Sequence, residues 1–261
     1  MKILIGNDDG IGSVGILALV KELARNHEVR VYAPMGNRSG FSHSLTVRQP
    51  IYVKQSDIFA DLGVKAWEFS GTPADCIKLG LDIDKTFAPD IVIGGINHGP
   101  NMGMDVMYSG TCGVGMEGSL AGACGIAVSL DCHFEDGNYQ TAAKVVGENL
   151  QLLFDAHIGT SVWNINVPNL AYGDLKGVEL TQIGVQIYND VYEKGEDEKG
   201  VFYSLGGYTV DHNQNQPNGD VEVVKNGKVS ITPIKQNRTD FEELERCYDI
   251  FSSRKSTKGI I

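Results

Sequence analysis

Ile3, Leu4 and Ile5 form an uninterrupted apolar run, and from Ile11 onward the period changes. Ile16, Leu17, Val20, Leu23 and Ala24 recur at helical spacing and fall on one face. A second apolar stretch, HEVRVYAP at 27–34, follows. Strand, helix and strand in such quick succession predict a βαβ unit and a parallel sheet. GTPADCIKLGL (71–81) predicts a helix with Thr72 as N-cap and Pro73 at its first position. PDIVIGGIN (89–97) is apolar without alternation, the pattern of a strand covered by helices on both faces. GIAVSL (125–130) reads the same way, TAAKVVGENLQLLFDAH (141–157) is an amphipathic helix and SVWNINVP (161–168) a strand.

Beyond about residue 180 the pattern becomes polar, with glycine-marked turns and short alternating stretches in YNDVYEKGEDEKGVFYSLGG, which predict a protruding hairpin. HNQNQPNGD (212–220) reads as a loop and KVSITPI (228–234) as a strand. TDFE (239–242) has the form of a capping box, Thr239 at the N-cap and Glu242 three residues on. The helix behind it carries Phe241, Leu244, Tyr248 and Phe251 on one stripe. The expected division is therefore an α/β domain over 1–180 and a smaller C-terminal part over 181–261.

Composition narrows the function classes. At 261 residues the chain is long enough for one large domain, or a domain with an appendage. Its net charge of −11 argues against broad binding to nucleic acid polymers or to anionic membranes. A bound phosphate would have to be met by local positive charge, from a metal ion, a helix N-terminus or a few basic side chains. Five cysteines, an odd number without a CxxC pair, suit a reducing compartment. The segment MKILIGNDDG lacks the form of a secretory signal, and VGILALV is too short to span a bilayer, so the expectation is a cytoplasmic protein.

The chemistry gathers where predicted strands end, which in open parallel sheets is where ligands bind. Asp8 and Asp9 follow the first strand directly. Read blandly they form a turn; read as chemistry they form a site for a hard cation such as Mg²⁺ or Mn²⁺, whose charge offsets their repulsion. GNRSGFSHS (36–44) follows the second strand and offers Ser39 as a hydroxyl ligand with Arg38 in support. GGINHGPNMGMDVMYSGT (94–111) follows the third buried strand and holds Asn97, Asn101, Asp105 and Ser109-Gly110-Thr111 among five glycines. A helix starting just after Ser109 would present free N–H groups to a phosphate. His43 and His98 flank these segments as candidate acids or bases, against the commoner reading of ordinary loop histidines. No Walker loop and no GxSxG elbow occurs.

Taken in order, NDDG, NRSG, GTPADC, GIN followed by GPN, YSGT followed by MEG, NVP at 166–168 and SITP at 230–233 resemble the SurE family of survival-protein 5′-nucleotidases over nearly the whole chain. The resemblance implies a Rossmann-like, mostly parallel sheet flanked by helices, with a C-terminal hairpin and a terminal helix exchanged between subunits of a homodimer or dimer of dimers. It implies hydrolysis of nucleoside 5′-monophosphates, with 3′-monophosphates and short polyphosphate as further substrates, and one divalent ion, Mg or Mn, per subunit. The metal ligands fall on Asp8, Asp9, Ser39 and Asn97, and Asn101, Ser109, Gly110 and Thr111 line the phosphate pocket. Asp8 or Asp9 would act as base toward the attacking water. The sequence departs from the family pattern at Gly94, where a Ser is usual, at Met104, where an acid is often found, and at Asn237, where an Asp is often found. Competing readings are a metal-independent serine hydrolase using Ser109 or Ser39, a non-catalytic nucleotide-binding protein, and a phosphatase with an Asp nucleophile, which would want acids two apart rather than adjacent.

Overall fold

The computed structural model describes residues 1–132, 137–210 and 217–254. In chain order the elements are β1 (Lys2–Gly6), α1 (Val14–Leu23), β2 (Glu28–Pro34), β3 (Val53–Ser56), β4 (Lys65–Phe69), α2 (Pro73–Ile83) and β5 (Ile91–His98). Then follow α3 (Gly110–Leu120), β6 (Cys124–Asp131), α4 (Tyr139–Ala156), β7 (Val162–Pro168), β8 (Val178–Leu180), β9 (Ile187–Asp197), β10 (Gly200–Val210), α5 (Asp220–Lys225), β11 (Val229–Ile234) and α6 (Phe241–Arg254). Part of the loop expected at 212–220 lies outside the described residues.

Nine strands form one sheet in the order β3-β4-β2-β1-β5-β6-β7-β11-β8. The strands from β4 to β7 are parallel, β3 and β11 run against their neighbours β4 and β7, and β8 is parallel to β11. The apolar runs follow from this position. In β1, Ile3 and Ile5 join one core cluster, under α1 and α4, while Leu4 between them joins the other, under α2 and α3. Both faces of the strand are covered, so no position alternates to polar. Ile91 and Ile93 of β5 face the first core and Val92 the second.

The helix starts are fixed by side chains. Ser13 caps α1, and Thr72 and Asp75 make a reciprocal capping box at α2. At α6 the cap differs from expectation. The helix begins one position later, at Phe241, so Asp240 rather than Thr239 stands at the N-cap, and its Oδ1 accepts the N–H of Glu243 at 2.8 Å.

The C-terminal part divides in two. β11 lies within the main sheet between β7 and β8, whereas β9 and β10 form a separate antiparallel ribbon running from the pair Val210 and Ile187 to the pair Gly200 and Asp197. The ribbon exposes Tyr192, Phe202 and Leu205, and α6 exposes Phe241, Leu244, Tyr248 and Phe251. Among the described residues no helix is long and apolar enough to cross a membrane.

Candidate functional site

The end of β1 turns sharply under the control of Asn7. This buried amide donates to the carbonyl of Gly10 at 2.8 Å and to Ser13 Oγ at 2.9 Å, tying the turn to the cap of α1. The next two residues are thereby placed at the sheet edge. Asp8 is buried and Asp9 half-buried. Burial, opposed by a hydrogen bond from Thr111 that favours the ionised form and aided by the neighbouring Asp9 charge, pushes the Asp8 carboxyl up to about 6. Burial also raises Asp9, which is opposed by the N–H of His98 donating to its Oδ2 at 3.0 Å.

β5 delivers the second group. A register shift against β6 between Gly94 and Asn97 breaks the regular pairing just before the site, as bulges beside functional residues do. Asn97 donates its amide to the carbonyl of Gly99 at 2.8 Å, and its Oδ1 lies 3.4 Å from the Thr111 hydroxyl. That hydroxyl donates to Asp8 Oδ1 at 2.6 Å, so Thr111 bridges Asp8 and Asn97. The glycine at 94 has a local reason: a Cβ there would stand 2.2 Å from the carbonyl oxygen of Thr111.

α3 supplies the third. Ser109 caps it, accepting the N–H of Cys112 at 3.0 Å. Gly110 must be glycine for α3 to approach this closely, since a Cβ would meet Asp8 Cβ at 2.8 Å and Pro73 at 3.0 Å. The start of a helix presents N–H groups without intrahelical partners and a partial positive charge, and here it abuts the carboxylate of Asp8.

The loop after β2 closes one side. The N–H of Arg38 donates to the carbonyl of Asp8 at 2.6 Å, which sets Ser39 beside the site, exposed. The Arg38 guanidinium reaches the carbonyl of Ser70 at 3.1 Å. Farther along, His43 Nε2 meets Glu117 Oε2 at 2.8 Å, and Lys78 donates to the other oxygen of the same carboxylate at 2.8 Å. The His43 contact, chiefly, and Lys78 hold Glu117 below its ordinary range against the opposing effect of burial. His98 Nδ1 lies 2.7 Å from the hydroxyl of Tyr139.

The structure thus brings Asp8, Asp9, Asn97 and Thr111 together, with Ser109 and Gly110 in the same helix start and Ser39 on an adjoining loop. Asn101 is placed differently. Its amide donates to Ser129 Oγ at 2.8 Å, and its backbone is held by Asn164 and Asn166, so it ties the loop to β6 and β7. Asp220 was not singled out in the sequence. Buried at the start of α5, it accepts the N–H groups of Gly103, Gly184 and Val221 and fastens the loop that leads to Ser109. Its only sequence signal is a lone Asp at a helix start.

Among the described residues no cluster of three or more His, Cys, Asp or Glu could hold a metal. The set at the site is instead two carboxylates with neutral oxygens from Ser39 and Asn97. Burial strains both carboxylates toward protonation, and an all-oxygen set of this kind fits a hard divalent cation.

A profile of the family described as survival protein SurE matches residues 3–190. The protein named 5′-nucleotidase SurE of Thermosipho melanesiensis is 39% identical over 255 residues, covering 97% of this chain and 99% of that one. Its namesake from Syntrophomonas wolfei is 39% identical, covering 97% and 95%, and that from Synechococcus is 41% identical, covering 94% and 97%. The crystal structure of the SurE protein from Aquifex aeolicus superposes with a TM-score of 0.78 at 34% identity, covering 95% of this chain and 99% of that one.

Proposed function

The chain belongs to the SurE family, and on that premise we propose that it is a 5′-nucleotidase, hydrolysing nucleoside 5′-monophosphates to nucleoside and phosphate with one divalent ion, Mg or Mn, per subunit. The observation that carries this reading is the bond from Thr111 to Asp8. It joins the start of a helix, which suits a phosphate, to a buried carboxylate, which suits a cation.

Asp8, Asp9, Ser39 and Asn97 would hold the ion. When bound, a divalent ion supplies Lewis-acid polarisation of a phosphoryl oxygen and eases deprotonation of water. The chain does the rest. N–H groups at the start of α3 and the hydroxyl of Ser109 take up the phosphate and stabilise charge on its oxygens, while Thr111 lines the pocket with its proton committed to Asp8. Asp9, the more accessible carboxylate, accepts the proton of the attacking water while the N–H of His98 fixes its orientation. A site that grips phosphate in this way also supports turnover of 3′-monophosphates and short polyphosphate.

The exposed stripe of α6 and the uncovered ribbon support assembly into a homodimer or dimer of dimers, with residues 181–261 contributing the contacts. Cys76, Cys112 and Cys124 are buried thiols, which supports a reducing, cytoplasmic setting. A serine hydrolase is less well supported, because His43 is engaged with Glu117 and His98 with Tyr139. The test is phosphate release from nucleoside 5′-monophosphates with Mg²⁺ or Mn²⁺, its loss in EDTA and its return when metal is restored. Equal rates in EDTA would overturn the metal-dependent reading.

A further inference from the structure

Two large aromatic side chains border the site and take no part in the reading above. Tyr108 immediately precedes Ser109, and Phe41 lies two positions beyond Ser39. Their segments are stitched together. The N–H of Ser42 donates to the carbonyl of Tyr108 at 3.0 Å, and the Ser42 hydroxyl donates to the carbonyl of Met107 at 2.6 Å. Ser42 follows Phe41 directly, so the backbones of Phe41 and Tyr108 are neighbours on the rim. Both rings remain open, 44% and 66% exposed, although the hydrophobic effect would favour covering them. The Arg38 guanidinium lies 5.6 Å from the centroid of the Phe41 ring and holds that loop's aromatic close to the residues tied to Asp8.

The position of the pair decides what it can receive. Tyr108 is one residue from the start of α3, and consecutive Cα atoms are about 3.8 Å apart, so a molecule anchored there by its phosphate has its remainder beside these rings. Aromatic faces bind the flat faces of heterocycles, and they do so with little preference among bases. We propose that Tyr108 and Phe41 form the nucleobase subsite, stacking the base of a substrate whose phosphate sits at the start of α3. The proposal deepens the nucleotidase reading and rests on it. Such a subsite selects nucleotides over phosphate monoesters that lack a base, with an advantage for purines, whose larger rings stack over more area.

The experiment compares adenosine 5′-monophosphate with ribose 5-phosphate, which keeps the phosphoester and sugar but lacks the base. Because stacking on an aromatic side chain holds the base, Tyr108→Ala should lower the ratio of kcat/KM on the nucleotide to that on the sugar phosphate about tenfold or more, through KM. Phe41→Ala should move it the same way, and Tyr108→Phe should restore it. Calorimetric titration of adenosine 5′-monophosphate into wild type and Tyr108→Ala should show a matching loss of affinity. An unchanged ratio together with unchanged nucleotide affinity would overturn the subsite. So would equal losses on both substrates, which mark a merely structural role. If wild type released no phosphate from any nucleotide, the nucleotidase reading would fall, and the calorimetric comparison would still decide the subsite.

Discussion

The hydroxyl of Thr111 donates to Asp8 Oδ1 at 2.6 Å across 103 positions of sequence. A hydrogen bond to an ionised carboxylate favours the ionised form, so this one holds Asp8 below where burial alone would put it. Thr111→Val keeps the shape and removes the donor. Asp8 should then protonate more readily than in wild type, and Mn²⁺ affinity near neutral pH should drop with kcat/KM by roughly tenfold or more, the scale of one charge-assisted hydrogen bond. Wild-type affinity and turnover in the folded variant would show that the bond has no part in the site.

Asp8 gives a stability test in metal-free protein. Its carboxyl is raised from 3.8 to about 6 on folding. The contribution of this group is therefore fully present below the unfolded value and is lost as pH rises through about 6. Asp8→Asn cannot ionise and escapes that loss. In EDTA it should be more stable than wild type above pH 7, by on the order of 3 kcal/mol at most, with the gap closing near pH 4. Metal should raise the melting temperature of wild type and not of the variant. Denaturation curves across pH, with and without metal, read both effects; a variant less stable than wild type in EDTA at pH 8 would refute the strain assigned to Asp8.

Asn97 tests the neutral part of the donor set. Asn97→Ala should weaken metal binding and reduce turnover by about 10²-fold, since the contribution of a catalytic cation amounts to several kcal/mol. Metal titration and steady-state rates measure the two separately, and unchanged values in both would remove Asn97 from the site.

Much of this arrangement was legible in the sequence, and the limits have physical causes. β1, β5, β6 and β7 announce themselves because both faces are buried and their apolar runs are continuous. The strands at and next to the edges do not: β3 reads VKQS and is largely exposed, β4 beside it mixes Lys, Trp and Glu, and β8 has only three residues. The return of β11 into the main sheet leaves no local mark, because pairing partners are set by topology rather than by neighbours in sequence. For the same reason Asp8, Asp9 and Asn97 were readable as a group at strand ends, while the Thr111 bridge was not. Asn101 illustrates the converse. A glycine-rich loop suggests exposure to ligand, yet its amide is spent on Ser129 inside the fold.

Glu117 anchors the loop that bears Ser39. Its carboxyl is held below the ordinary 4.5 by His43 first and by Lys78, so its stabilising contribution is present above that value and is lost as pH falls below it. Glu117→Gln should destabilise the protein by roughly 2 kcal/mol near neutral pH, the scale of hydrogen bonds to charged groups. The difference from wild type should shrink as pH falls below 4.5 and the Glu117 carboxylate takes up a proton. Paired thermal melts across pH check this, and a gap independent of pH would show that charge at Glu117 contributes nothing.

The ribbon of β9 and β10 leaves and rejoins the body at adjacent points. Gln182 and Gly219 form an isolated bridge, and just inside it Thr181 donates to the carbonyl of Ile231. The chain between them is therefore a cassette: it can be shortened, lengthened or exchanged without altering the order of any strand in the main sheet. Loop closure entropy changes slowly with length, so arms of quite different size cost the body nearly the same. A replacement arm would forfeit the bonds from Gln186 and Tyr188 to Asp105, on the segment leading to Ser109, and the bond from the N–H of Gly184 to Asp220. Relatives of this fold are thus free to diversify their arms while keeping one catalytic body, provided that each new arm restores a grip on that segment.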